Sequence, residues 1–109
     1  VKSVITFGSP RVGNSEFVSA HAGYGLNSVR VTHYHDIVPH VPEEFMGYRH
    51  VVSEVWYAED YDAAGSYTIC NDSVDGEDDS CSNSCSPFSC TSTSDHLLYL
   101  GQALGADGC

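Results

Sequence analysis

The stretch Ser28–Pro42, SVRVTHYHDIVPHVP, leaves few folds open. Its first half alternates as a strand does, with Val29, Val31 and His33 on one face and Arg30, Thr32 and Tyr34 on the other. The alternation stops at Asp36. Ile37-Val38-Pro39 then begins a segment that cannot continue a central strand, because Pro39 has no N–H to donate to a ladder. A carboxylate thus sits just past the C-terminal end of a strand, the edge of an α/β sheet where loops carry catalytic groups. An Asp there also stops strands and caps turns, so position alone favours the plainer role. What raises the functional one is Ser94-Asp95-His96-Leu97-Leu98-Tyr99, near the other end of the chain.

The segments around this stretch read as a parallel α/β unit. Val1–Phe7 predicts a buried strand, and Gly8–Asn14, with two glycines and a proline, a turn. Asn14 is a good N-cap for a short helix carrying Glu16, Phe17, Val18 and Ala20, ended by Gly23-Tyr24-Gly25. Strand, helix and the strand through His33 make the unit. Tyr48–Ala58 predicts a further strand, with His50, Val52, Glu54 and Trp56 on one face, and Ser66–Cys70 its partner through a hairpin at Glu59–Gly65. Asn71–Ser94 is Asp- and Ser-rich, and cysteine bridging makes it a compact surface loop; Asn71-Asp72-Ser73 is a glycosylation sequon. Ser94 or Asp95 caps an expected last helix, Leu97–Leu104, closed by Gly101 and Gly105.

Charge and cysteines bound the setting. Four Lys+Arg against fifteen Asp+Glu give a formal charge of −11, which argues against nucleic acid and anionic membrane as partners. The 109 residues make at most one small domain with a modest core. Five cysteines point to an oxidising compartment, hence a secreted, extracellular protein. An odd cysteine at the end, Cys109, and a start in a strand-like run with no signal peptide read as a cut or truncated chain.

A strand-end Asp followed later by a loop His is the tail of the order nucleophile, acid, histidine found in α/β-hydrolases. The imidazole takes a proton from a serine and returns it to the leaving group, while the carboxylate fixes its tautomer and stabilises the imidazolium. At this point the sequence resembles the secreted fungal class 3 lipases and their relatives, the feruloyl esterases. The resemblance rests on five ordered blocks: Thr6–Asn14 (TFGSPRVGN); Arg30-Val31-Thr32 with Asp36–Pro42; Gly47–His50 with Glu54-Val55-Trp56; Asp79–Ser84; and Asp95–Gly101. It implies an α/β-hydrolase fold, of which residues 1–109 are the C-terminal part of a single domain with a disulfide-stapled loop at 70–94. It places the triad acid on Asp36 and the triad histidine on His96. It makes Val38 and Leu97, with Ile37 beside them, the wall of an acyl groove.

No G-x-S-x-G occurs in the sequence, so the resemblance leaves the nucleophile outside this chain, which alone is expected to be inactive. The implied activity is hydrolysis of carboxylic esters, most simply of triacylglycerols, on lipid substrate and with no cofactor. Thr93 and Ser94 stand where the lipases often place apolar residues, which keeps a feruloyl-type or short-acyl esterase open. A non-catalytic, disulfide-rich binding module is the alternative outside enzymes. Four clustered cysteines allow three pairings. Cys85 and Cys90 enclose a Pro87 turn short enough to bridge. Cys70 and Cys81 match the lipase bridge before the histidine, and the resemblance gives Cys109 a partner in the N-terminal part of the same enzyme.

Other residues also invite a chemical reading. His33, His35 and His40 with Asp36 invite a metal reading, but spacing supplies no second shell, and a cleft-side histidine cluster is preferred. Asp95 is a rival acid, although neighbours in sequence rarely meet a ring nitrogen well. Glu54 and Trp56 are assigned to sheet packing. Glu77-Asp78-Asp79 lacks the spaced calcium-loop pattern and reads as a solvated loop.

Overall fold

A computed structural model of the chain describes residues 2–59, 65–71, 75–85 and 88–108. Strand β1 (Val4–Phe7) leads through a glycine- and proline-containing loop to helix α1 (Ser15–Gly23) and back to β2 (Ser28–His33). β1 and β2 are parallel, with Val4 opposite Ser28 and Phe7 opposite Val31. The helix begins where expected, because Asn14 accepts a hydrogen bond from the Phe17 N–H at 3.0 Å and Glu16 sits in the positive first turn. Val18 is its buried residue.

β3 (Glu54–Tyr57) adds parallel to β2, with Arg30 opposite Glu54 and His33 opposite Tyr57. β4 (Thr68–Ile69) adds antiparallel to β3, completing a sheet in the order β1-β2-β3-β4. The antiparallel pair agrees with the expected hairpin, whose residues 60–64 lie outside the described residues. A second, two-stranded sheet joins β5 (Leu98–Tyr99) to β6 (Gln102–Ala103).

Three expectations need correction. β1 is not a buried strand: Ile5 and Phe7 are 59% and 42% exposed, because β1 is the edge of this sheet and the described residues cover that face only in part, through the Tyr99 ring against Phe7. β3 is only four residues long. Upstream of it the Val51 carbonyl accepts from Arg30 Nε at 2.7 Å and the His50 carbonyl from the Gly76 N–H at 2.8 Å, so these groups serve loops instead of a ladder. Residues 97–104 do not form a helix. Leu100 and Gly101 both take positive φ, 53° and 73°, the backbone of a two-residue hairpin turn that matches strand twist.

The interior is unusually polar. Beside Val18, Val31 and Tyr99 it buries Arg11, Arg30, Thr32, His33, Asp36, His40, His50, Glu54 and Ser82. Buried charge is tolerable only when hydrogen bonds replace water, as they do around Arg11, Glu77 and Glu54. Arg11 grips Glu77 through Nε at 2.8 Å and a second N–H at 2.9 Å, and donates to the carbonyls of His40 and Pro42 at 2.8 and 3.1 Å. Glu77 is therefore a buried ion-pair partner, not part of a solvated loop. Its carboxyl, which burial alone would raise, is held below the usual range by the Arg11 hydrogen bond and charge. Glu54, 1% exposed, accepts the Thr32 hydroxyl at 2.5 Å and the Ser82 hydroxyl on the same oxygen.

The loop after β4 is pinned covalently as well. Cys70 pairs with Cys81 and Cys85 with Cys90, with Cα atoms 6.1 and 5.6 Å apart, as the spacing and the resemblance led one to expect. Cys109, and with it the bridge the resemblance leads one to expect, lies outside the described residues.

Candidate functional site

The chain leaves β2 at His33 and turns at Tyr34, whose N–H is still held by the Tyr57 carbonyl at 2.8 Å. Asp36 closes the turn by donating its N–H to the His33 carbonyl at 3.0 Å. The backbone of this turn pairs with a distant one. Ile37 N–H donates to the Ser92 carbonyl at 3.2 Å and Ser92 N–H to the His35 carbonyl at 3.0 Å. These two bonds lay the histidine loop beside the acid loop across sixty residues of sequence. Ser92 then accepts the Asp95 N–H on its hydroxyl at 3.0 Å and starts the single turn Asp95–Leu97. Ser92, not the expected Ser94 or Asp95 side chain, makes this cap.

His96 and Asp36 meet. His96 Nδ1 lies 3.0 Å from Asp36 Oδ2. The carboxylate is buried, and the histidine side chain is a third exposed. Asp36 is fully engaged: Oδ1 accepts the Val38 N–H at 2.8 Å, and Oδ2 accepts the Tyr99 hydroxyl at 2.5 Å as well as His96. A carboxylate with donors on both oxygens only accepts, so Nδ1–H is the donor and the neutral ring keeps its lone pair on Nε2. That nitrogen, on the partly exposed side chain, is free to take a proton.

Tyr99 is the neighbour of this pair that sequence reading missed. It sits in β5, 2% exposed, edge-on to the rings of Phe7 and His33 at 5.8 and 5.6 Å. Burial first, and then the Asp36 charge, keep its phenol protonated at any ordinary pH, so it remains a donor to Asp36. The signal lay in Asp95–Gly101, but the helix expected over Leu97–Leu104 does not anticipate the hairpin that carries Tyr99.

The remaining candidates separate. His33 is a strut: its Nδ1 and Nε2 lie 3.3 and 3.2 Å from the carbonyls of Asp95 and Glu59. His35 stacks on Tyr34 with ring centres 3.8 Å apart. His40 is buried near Arg11, and its imidazole is held below the usual range by burial and then by that charge. The three imidazoles thus go to three different surroundings. Asp95 gives its backbone to the turn and to His33. Ile37 and Val38 are half-buried in the loop after Asp36, and Leu97, beside His96, is half-exposed. Among the described residues Glu54, Cys70 and Cys81 lie close enough together to hold an ion. Their sulfurs, however, are joined to each other, and the carboxylate is taken by Thr32 and Ser82.

Comparison with known proteins places this geometry. Residues 1–46 match the family of class 3 lipases. The chain is 39% identical over 97 residues to the lipase of Rhizopus niveus, covering 89% of this chain and 23% of that protein. Against the solved structure of lipase II from Rhizopus niveus it superposes with a TM-score of 0.83 at 38% identity, covering 95% of this chain and 37% of the other. It also superposes, at a TM-score of 0.79 and 36% identity over 93% of this chain and 36% of the other, on a triacylglycerol lipase described as having a serine protease triad as its catalytic centre. The chain thus spans 23% of the curated Rhizopus niveus lipase and 36–37% of the two solved chains. Sequence and superposition agree that the chain belongs to the class 3 lipases, as a C-terminal part of their α/β-hydrolase fold.

Proposed function

We propose that this chain supplies the acid and the histidine of a secreted triacylglycerol lipase, with a nucleophilic serine contributed from outside these residues. The observation that carries the reading is the Asp36–His96 contact, a buried, fully hydrogen-bonded carboxylate holding the Nδ1 side of a partly exposed imidazole. In the reaction His96 Nε2 removes the serine proton as the oxygen attacks the ester carbonyl. The imidazolium then passes that proton to the departing alcohol, and the same nitrogen activates water against the acyl-enzyme. Asp36 stays ionised throughout and fixes the tautomer, while the Val38 N–H and the Tyr99 hydroxyl hold the carboxylate in place. Ile37, Val38 and Leu97 offer apolar surface beside the pair for an acyl chain.

Thr93 and Ser94, both exposed just ahead of the histidine turn, favour a second reading in which the acyl group is short or aryl. Relative turnover of long-chain triacylglycerol, tributyrin and a feruloyl ester decides between the two.

The test of the proposal is His96→Ala in the complete secreted enzyme. Turnover of emulsified triacylglycerol should fall by roughly 10⁴-fold or more, with the melting temperature nearly unchanged. Asp95→Asn should remain within a few-fold of the parent. Full activity of the His96→Ala protein would refute the assignment.

A further inference from the structure

The Asp36–His96 hydrogen bond has a third neighbour that neither donates nor accepts. Gly8 follows β1, is buried, and has φ of +61°. A side-chain carbon built on it would lie 2.7 Å from His96 Nδ1, 2.8 Å from Asp36 Oδ2 and 2.9 Å from His96 Cε1. Real Cβ atoms do not approach that closely, so the backbone of Gly8 lies directly against the bond. It cannot withdraw, because its N–H is tied to the Val31 carbonyl of β2 at 3.0 Å. Asp36 cannot withdraw either, held as it is by Val38 and Tyr99. The movable member is His96, the one whose side chain reaches solvent.

We propose that Gly8 is a positioning residue for the catalytic pair: its missing side chain lets the strand end pack against the Nδ1–H···Oδ2 bond, setting the imidazole in line with the acid and closing the bond to water. This rests on the reading of Asp36 and His96 as acid and base. Any Cβ at position 8 displaces the ring, and a displaced ring loses its carboxylate partner and its fixed tautomer. The consequence is a loss of turnover resembling loss of the acid itself, arising at a residue with no chemistry of its own.

The experiment compares Gly8→Ala, Asp36→Asn and the double variant in the complete secreted enzyme, with kcat and KM measured on folded protein. Gly8→Ala should lower kcat by about 10³-fold, approaching the roughly 10⁴-fold expected for Asp36→Asn, with KM little changed. In the Asp36→Asn background it should cost less than about threefold more, because the bond it disturbs is already lost. A Gly8→Ala enzyme within tenfold of the parent, or one whose loss multiplies undiminished onto Asp36→Asn, overturns the proposal. The parent enzyme supplies a measurement independent of any variant. The His96 Nδ1–H proton should give a sharp, far-downfield resonance protected from exchange at neutral pH, and a resonance broadened by rapid exchange also overturns the proposal. If Asp36→Asn itself retains full activity, the assignment of the pair fails. If Asp36→Asn is crippled and Gly8→Ala is not, only the role of Gly8 fails.

Discussion

Two regions of this chain bury carboxylates, and they do it to different ends. Under the disulfide loop, Glu77 and Glu54 meet partners that are themselves buried: Arg11 for the first, Thr32 and Ser82 for the second. At the strand end, Asp36 is just as buried, but one of its partners, His96, reaches solvent and keeps a nitrogen free. Burial of an acid is therefore not what marks chemistry here. The mark is an acid whose hydrogen-bond chain ends on an accessible, unspent group. The regions touch through the loop 36–42. Asp36 anchors its start at Val38 N–H, while Arg11 grips the carbonyls of His40 and Pro42 and His50 Nε2 donates to that of Pro39 at 2.7 Å.

The comparison predicts which variants lose the fold and which lose the reaction. The largest effect on stability belongs to Arg11→Ala, which strands the buried Glu77 charge. About 3–5 kcal/mol should be lost in denaturant unfolding, while activity per folded molecule falls much less. A smaller acid-induced loss belongs to His50. Burial, then the Arg30 charge, push its imidazole down to about 3, so it is neutral in the fold. The unfolded chain binds a proton near pH 6.5 that the folded one refuses, so stability is full above that pH and falls as pH drops toward 3. The slope is ~1.4 kcal/mol per pH unit, on the order of 3 kcal/mol between pH 7 and 4. The depressed Glu77 carboxyl adds to the acid loss in the same direction. His50→Gln, which keeps a donor for the Pro39 carbonyl, should flatten part of this slope in pH-dependent melts. The smallest effect falls on the catalytic side. Tyr99→Phe removes one charge-assisted donor from the buried Asp36 carboxylate, a loss of ~2 kcal/mol in unfolding free energy, and should lower kcat/KM by less than roughly 30-fold.

The meeting of Asp36 and His96, the proposed acid and histidine, was readable because strand alternation breaks visibly at Asp36 and because the later Asp95–Gly101 block carries its own pattern. Asn14 was readable for a local reason, since an N-cap is decided within four residues. What escaped was decided at a distance. Tyr99 donates to a residue 63 positions earlier, and its direction depends on a hairpin turn at Leu100-Gly101 that competes with helix propensity. Glu77 looked like one more charge in an acidic run because its partner, Arg11, lies 66 residues upstream. The late start of β3 follows from Arg30 and Gly76 claiming carbonyls that a period-two pattern assigns to a ladder.

The central claim is that Asp36, alone among these buried acids, serves the reaction. The direct measurement is kcat at saturating substrate for Asp36→Asn beside Glu54→Gln in the complete enzyme, with both normalised to folded protein. A fall of about 10⁴-fold for Asp36→Asn with the fold retained, and a Glu54→Gln protein that melts earlier but turns over normally once folded, is the result predicted. An Asp36→Asn enzyme within tenfold of the parent, or a well-folded Glu54→Gln enzyme without activity, would contradict it.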